Sequence, residues 1–154
     1  MDDYEAPISN DEKRQVYAVL KTKLKIAMNQ HFYLEALLLE YSIIEDRLLS
    51  ILKHLGLKWT DSNGQELQIG KKMKKVKGQI DNKNSMVIGK LDYDLLDQIY
   101  IWKKTRNDLV HKSCHRLYDN NEVAQCAEQG KEIVRKLSNS ANRIKRLSEK
   151  IVKK

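Results

Sequence analysis

Apolar residues at alternating steps of three and four run through the last quarter of the chain, with no proline to interrupt them. This spacing places them along one side of an α-helix, so we predict one long helix from about residue 120 to the C-terminus. Such a seam is buried either against sister helices in a bundle or, as the minority reading, in a dimeric coiled coil. Its members are Val123, Ala127, Gly130, Val134, Leu137, Ala141, Ile144, Ser148 and Ile151.

The first half of the chain carries the start and stop signals of two further helices. Ser9 followed by Glu12 has the capping-box spacing and predicts a first helix of about 20 residues. A second, strongly apolar helix is expected from His31 to Leu55, where Gly56 ends it.

Two more helices are predicted in the middle of the chain. A short one is built around Met73, Val76 and Ile80, and the next begins near Asp92 after a loop at 82–90. A bend is expected at 114–120 before the last helix. We therefore predict an all-α fold, a four- to five-helix bundle forming a single domain over residues 1–154, with 1–8 as a flexible arm.

The composition favours an anionic partner. The chain is 41% hydrophobic and 32% charged, which is typical of a folded globular protein, and its net charge is +8. We expect nucleic acid, with a membrane surface as the weaker alternative and lysine-solvated helix faces as the structural one.

The sequence also predicts a cytoplasmic protein. The acidic N-terminus has no apolar signal region, and no apolar run approaches the roughly 20 residues of a membrane span. Cys114 and Cys126 form no C-x-x-C pair, which favours reduced thiols. We expect no cofactor.

The segment Lys103–Lys112 combines cationic, amide and imidazole side chains on one helix. On a helical wheel, Arg106 falls in the apolar stripe, where a guanidinium needs a partner to offset its burial. The other members of that stripe are Leu95, Ile99, Trp102 and Leu109.

A second charge interrupts the stripe of the second helix. Glu45 stands in the line formed by Leu34, Leu38, Tyr41, Leu48 and Leu52. A carboxylate and a guanidinium satisfy each other well, so we predict that Glu45 pairs with Arg106 and orients it. The alternative is an ion pair with a purely structural role.

These residues suit the cleavage of RNA by its own 2′-hydroxyl. His111 exchanges protons near neutral pH, Arg106 stabilises charge on the phosphorus, and Asn107 holds a phosphate or hydroxyl oxygen. The RNA backbone is expected to follow nearby lysines, at Lys103, Lys104 and Lys112 on the same helix and at Lys71, Lys72, Lys74 and Lys75 on the third.

Arg106 and His111 lie five residues apart, about 140° around a straight helix, so they do not converge on one atom. Two copies facing each other across a two-fold axis would close this gap. The catalytic hypothesis therefore includes a homodimer with a composite site.

The segment Arg106–His111, R-N-D-L-V-H, resembles the R-x4-6-H motif of the HEPN family (higher eukaryotes and prokaryotes nucleotide-binding). The resemblance extends to the polar Asn107, to the late position of the motif and to an acid, Glu45, in an earlier helix. It implies a dimerising HEPN-like helical bundle, often a metal-independent endoribonuclease in toxin, phage-defence or RNA-processing systems, with Arg106, Asn107 and His111 at the site. An antitoxin partner would accompany a toxin, although Ser113 stands where antitoxin-regulated members carry the tyrosine of H-x-Y.

Three other readings remain open. His111, Cys114 and His115 at i, i+3, i+4 have a spacing that suits zinc, although we predict no metal site because a fourth ligand is not evident. The domain could instead bind RNA or nucleotide, or act as an assembly module, without cutting. Finally, Arg106 and His111 could have only structural roles.

Overall fold

A computed structural model describes residues 9–115 and 119–154, which form five α-helices. They are α1 (Asn10–Asn29), α2 (Tyr33–His54), α3 (Ile69–Asp81), α4 (Tyr93–Lys112) and α5 (Asn120–Val152). Within these ranges the one β-type pairing is an isolated bridge between Thr60 and Glu66. The prediction of an all-α bundle is confirmed. The predicted arm at 1–8 lies outside the described residues, as do positions 116–118 of the predicted bend.

Polar caps fix the helix starts where the sequence predicts them. The Glu12 amide donates to the Ser9 hydroxyl at 3.2 Å, and the Ser9 amide donates to the Glu12 carboxylate at 2.7 Å, a complete capping box. Asp92 accepts from the Leu95 amide at 2.9 Å at the start of α4. Such caps satisfy amides that have no partner inside the helix.

Helices α2 and α5 form the centre of the bundle and run in the same direction. Glu40 lies against Gly130, and further along both helices His54 Nδ1 lies 3.1 Å from the Ser148 hydroxyl. α4 packs antiparallel to α5, because Trp102 bonds to Cys126 while the earlier Gln98 meets the later Lys136. α1 packs against α2, and its Tyr17 hydroxyl also bonds to Ser138 of α5.

The seam of α5 is buried as predicted from Val123 to Ile144, and it is covered by α2 of the same chain. Only the last member, Ile151, is exposed. A coiled-coil partner is therefore not needed to bury this seam. Each large side chain buried here contributes about 1.5–3 kcal/mol.

The buried face of α2 differs from the predicted stripe. Leu38 is 51% exposed and Glu45 is half-buried, whereas Glu40 is 0% exposed. The helix is apolar on nearly all sides from Ala36 to Leu52, so periodicity alone did not fix which side faces α5. Despite this apolarity, no helix among the described residues has the length and hydropathy to cross a membrane.

Candidate functional site

The predicted apolar stripe of α4 is buried, and Arg106 interrupts it. Leu95, Ile99, Trp102 and Leu109 are all buried, while Arg106 is half-buried. The guanidinium therefore lies where α4 meets the rest of the bundle and not out in solvent.

Arg106 is held by an aromatic ring and an amide. Its guanidinium carbon lies 4.4 Å from the centre of the Tyr41 ring, a cation–π contact, and Nη1 donates to the Asn107 side-chain oxygen at 2.9 Å. Nε is buried and has no hydrogen-bond partner among the described residues. Burial lowers the pKa of Arg106, which remains charged because its ordinary pKa is so high.

Glu45 does not orient Arg106. Its carboxylate lies 3.6 Å from the Lys72 ammonium, and no ion pair within residues 9–115 and 119–154 joins it to Arg106. Glu45 is on the side of α2 that faces α3, one turn beyond the Tyr41 ring that takes up Arg106. The prediction of a Glu45–Arg106 pair is therefore wrong, and Tyr41 is the partner that sequence reasoning missed.

A second missed residue is the buried Glu40. A Cβ added at Gly130 would lie 2.0 Å from its Oε2, so the carboxyl group rests directly on the α5 backbone. Beside it, Trp102 Nε1 donates to the Cys126 carbonyl at 2.9 Å. Burial is the main reason why the pKa of Glu40 is raised to about 9, and the Glu128 charge adds to the effect. The sequence signal for this buried acid was its position, because Glu40 interrupts the most apolar run, Leu37–Ile44.

Cys126 connects this buried acid with the Arg106 site. Burial raises the pKa of its thiol to about 12, the Glu40 charge acts in the same direction, and Arg106 opposes it. At neutral pH Cys126 is therefore a buried, protonated thiol and a poor nucleophile.

His111 lies on the exposed surface of α4. Its ring packs edge-on against His115, with 5.1 Å between ring centres, one helical turn away. Cys114 is exposed nearby. In the part of the chain that the structure describes, no group of three or more His, Cys, Asp or Glu is placed to hold a metal ion.

The lysines of α3 do not form one basic patch. Lys72 is 0% exposed and pairs with Glu45 and Glu66, so the prediction that it contacts RNA is wrong. Lys75 is half-buried and donates to the Lys58 carbonyl at 2.5 Å. Lys71 and Lys74 are exposed. The helix periodicity that exposes these two turns Lys72 toward α2.

The lysines of α4 surround the Arg106 segment. Lys104 is exposed, with its ammonium 5.5 Å from the centre of the Tyr100 ring. Lys112 pairs with Asp108 at 2.6 Å, which offsets its charge. Lys103 is half-buried, close to Gly70 at the start of α3.

Comparisons of this chain with protein-family models, with curated proteins and with solved structures find no match. What bears on function is therefore the site itself and the resemblance of Arg106–His111 to the R-x4-6-H motif.

Proposed function

We propose that this protein is a metal-independent endoribonuclease of the HEPN type, with an HEPN-like arrangement of its five helices. The observation that carries the proposal is the state of Arg106. Its guanidinium is partly desolvated, retains unused donors and has no acid partner among the described residues. A guanidinium held in this way is suited to receive a phosphate.

The proposed reaction is internal transesterification. A histidine imidazole removes the proton of the RNA 2′-hydroxyl, and that oxygen attacks the adjacent phosphorus. The bond from phosphorus to the 5′-oxygen breaks, and the departing oxygen receives a proton from an imidazolium. Arg106 stabilises the charge on the non-bridging oxygens, and Asn107 orients the phosphate. The products are a 2′,3′-cyclic phosphate and a 5′-hydroxyl.

Two protomers would supply the acid and the base. Arg106 turns inward to Tyr41, whereas His111 is exposed, and this divergence favours a composite site across a two-fold axis. We expect a mass close to twice 18.0 kDa by light scattering.

The test is incubation of the purified protein with labelled single-stranded RNA and tRNA in excess EDTA. We expect cleavage with 2′,3′-cyclic phosphate ends, lost by about 10²-fold or more in His111→Ala and Arg106→Ala. His115→Ala is the matched control, because it removes the neighbouring ring and should retain activity. Cleavage that survives in both site variants would point to a contaminating nuclease and remove the proposal.

The second candidate is an RNA- or nucleotide-binding dimerisation module without catalysis. One observation favours it. The Asn107 side-chain oxygen already accepts a hydrogen bond from Arg106, which is what a purely structural contact between the two residues would show. In the same assay this candidate predicts intact RNA that is retained equally by the wild type and by both site variants.

A further inference from the structure

A polar cavity of about 420 Å³ lies at the end of the bundle away from Arg106. The beginning of α1 and the C-terminal halves of α2 and α5 enclose it. On α2, its His54 follows Tyr41 by thirteen residues, about 20 Å of helix. Because α2 and α5 run in parallel, this cavity and the Arg106 site are at separate ends of the molecule.

Cationic side chains dominate the cavity. Its lining includes Lys13, Arg14, Arg47, Lys145 and Arg146. Glu149 of the lining and the adjacent Asp46, which pairs with Lys13 and Arg47, offset two of these five charges and leave an excess of three.

Three of the cations have no acid partner among the residues that the structure describes. Within the described ranges, the recorded ion pairs do not include Arg14, Lys145 or Arg146. The positive field also acts on His54, whose pKa is lowered first by burial and then by the charge of Lys145. A concave surface with an excess of positive charge concentrates anions.

The floor of the cavity is organised before any ligand arrives. Arg47 is only 9% exposed, and its guanidinium lies 4.4 Å from the centre of the Tyr17 ring while it donates to Asp46. The Tyr17 hydroxyl bonds to Ser138 of α5. These contacts link all three enclosing helices, so a ligand need not order the floor to bind.

From this geometry we infer that the cavity is a binding site for the phosphate group of a nucleotide-sized ligand. Donors exceed acceptors in the lining, which selects an anion, and arginine and lysine together suit a phosphate. The volume is within the range of about 300–1,000 Å³ that is usual for small-molecule sites. The phosphate could belong to a free nucleotide or to the 5′ end of an RNA.

The test is titration of the full chain with adenosine 5′-monophosphate, with adenosine as the matched probe that lacks phosphate. We expect the nucleotide to shift the ring resonances of His54 in NMR spectra, and to do so equally in Arg106→Ala, which removes the phosphate ligand proposed near His111. Adenosine should shift none of them. Equal shifts with adenosine, or shifts confined to His111 and His115, would overturn the inference.

Substitution locates the contacts. Lys145→Gln/Arg146→Gln should weaken nucleotide binding at least tenfold, measured by calorimetry. Lys150→Gln/Lys153→Gln makes the same change in net charge at two exposed positions outside the lining, one in the last turn of α5 and one just after it, and should weaken binding less than twofold. Equal losses in the two variants would refute a defined site and indicate only attraction to a basic protein.

Competition identifies the source of the phosphate. If a 5′-phosphorylated oligoribonucleotide displaces the nucleotide and the 5′-hydroxyl form does not, the site accepts an RNA end. If neither displaces it while the nucleotide still binds, the ligand is a free nucleotide. Both outcomes are independent of RNA cleavage, so the cavity and the Arg106 site are tested separately.

Discussion

Replacing the buried Glu40 by glutamine should stabilise the protein, increasingly so as the pH rises. The carboxyl group is fully buried, and neither oxygen has a hydrogen-bond partner among the described residues. Burial, with a contribution from Glu128, raises its pKa from 4.5 to about 9. The folded protein therefore carries a neutral acid at pH 7, and glutamine has nearly the same shape without the ionisation.

The sign follows from proton binding in the two states. Above pH 4.5 the unfolded chain loses the Glu40 proton, while the folded chain keeps it until about pH 9. The contribution of Glu40 to the free energy of unfolding is therefore greatest below pH 4.5 and decreases as the pH rises to about 9. At up to 1.4 kcal/mol per pH unit, the loss at pH 7 is of the order of 3 kcal/mol.

The assay is urea unfolding of the wild type and Glu40→Gln at pH 5.5, 6.5, 7.5 and 8. We expect the difference between their free energies of unfolding to grow by about 1.3 kcal/mol per pH unit. Taking the difference also cancels the contribution of His54, which is the same in both proteins. The lowered pKa of His54 makes the free energy of unfolding rise with pH at pH values below the ordinary histidine pKa. Glu35→Gln, an exposed change on the same helix, is the control and should show no such growth. A pH-independent difference for Glu40→Gln would mean that the carboxyl is not buried as a neutral acid.

Three further predictions use the same unfolding assay. Gly130→Ala should destabilise the protein by about 1–3 kcal/mol, because the new Cβ would overlap the Glu40 carboxyl. The loss of stability should be smaller in a Glu40→Ala background. A net stabilisation would contradict this packing. Lys72→Ala should cost about 1–3 kcal/mol, because it removes the buried partner of two ion pairs. Lys71→Ala, at an exposed position, should leave stability unchanged and weaken RNA binding in a filter assay. Equal stabilities of the two variants would show that Lys72 is not buried. Arg47→Ala should cost about 3 kcal/mol and Arg106→Ala clearly less, because of these two arginines only Arg47 has an acid partner among the described residues. The reverse order would assign Arg106 a structural role.

Much of the fold could be predicted because its signals are local. Ser9 and Glu12 begin α1 through contacts three residues apart, and Asp92 begins α4 in the same way. The apolar residues of the α5 seam lie on one side of the helix only, so the spacing alone predicted which side is buried.

The partners of the buried charges could not be predicted in this way. α2 is apolar on nearly all sides, so both Glu40 and Glu45 interrupt an apolar line, and the sequence alone does not tell which one turns to α5. Lys72 is buried because Glu66, in the loop before α3, closes over it together with Glu45. Cation–π partners such as Tyr41 have no charge pattern that would reveal them.

Two arginines of this chain are held against tyrosine rings in nearly the same way, but they differ in the groups that balance their charge. Arg47 and Arg106 each lie 4.4 Å from the centre of a tyrosine ring, so the aromatic contact is common to both. Arg47 also has the Asp46 carboxylate at 2.5 Å, which balances its charge within the fold. Arg106 has only the neutral amide of Asn107, and its Nε has no hydrogen-bond partner among the described residues. A half-buried guanidinium without an acid is costly to the fold, and an arriving phosphate would supply the missing charge.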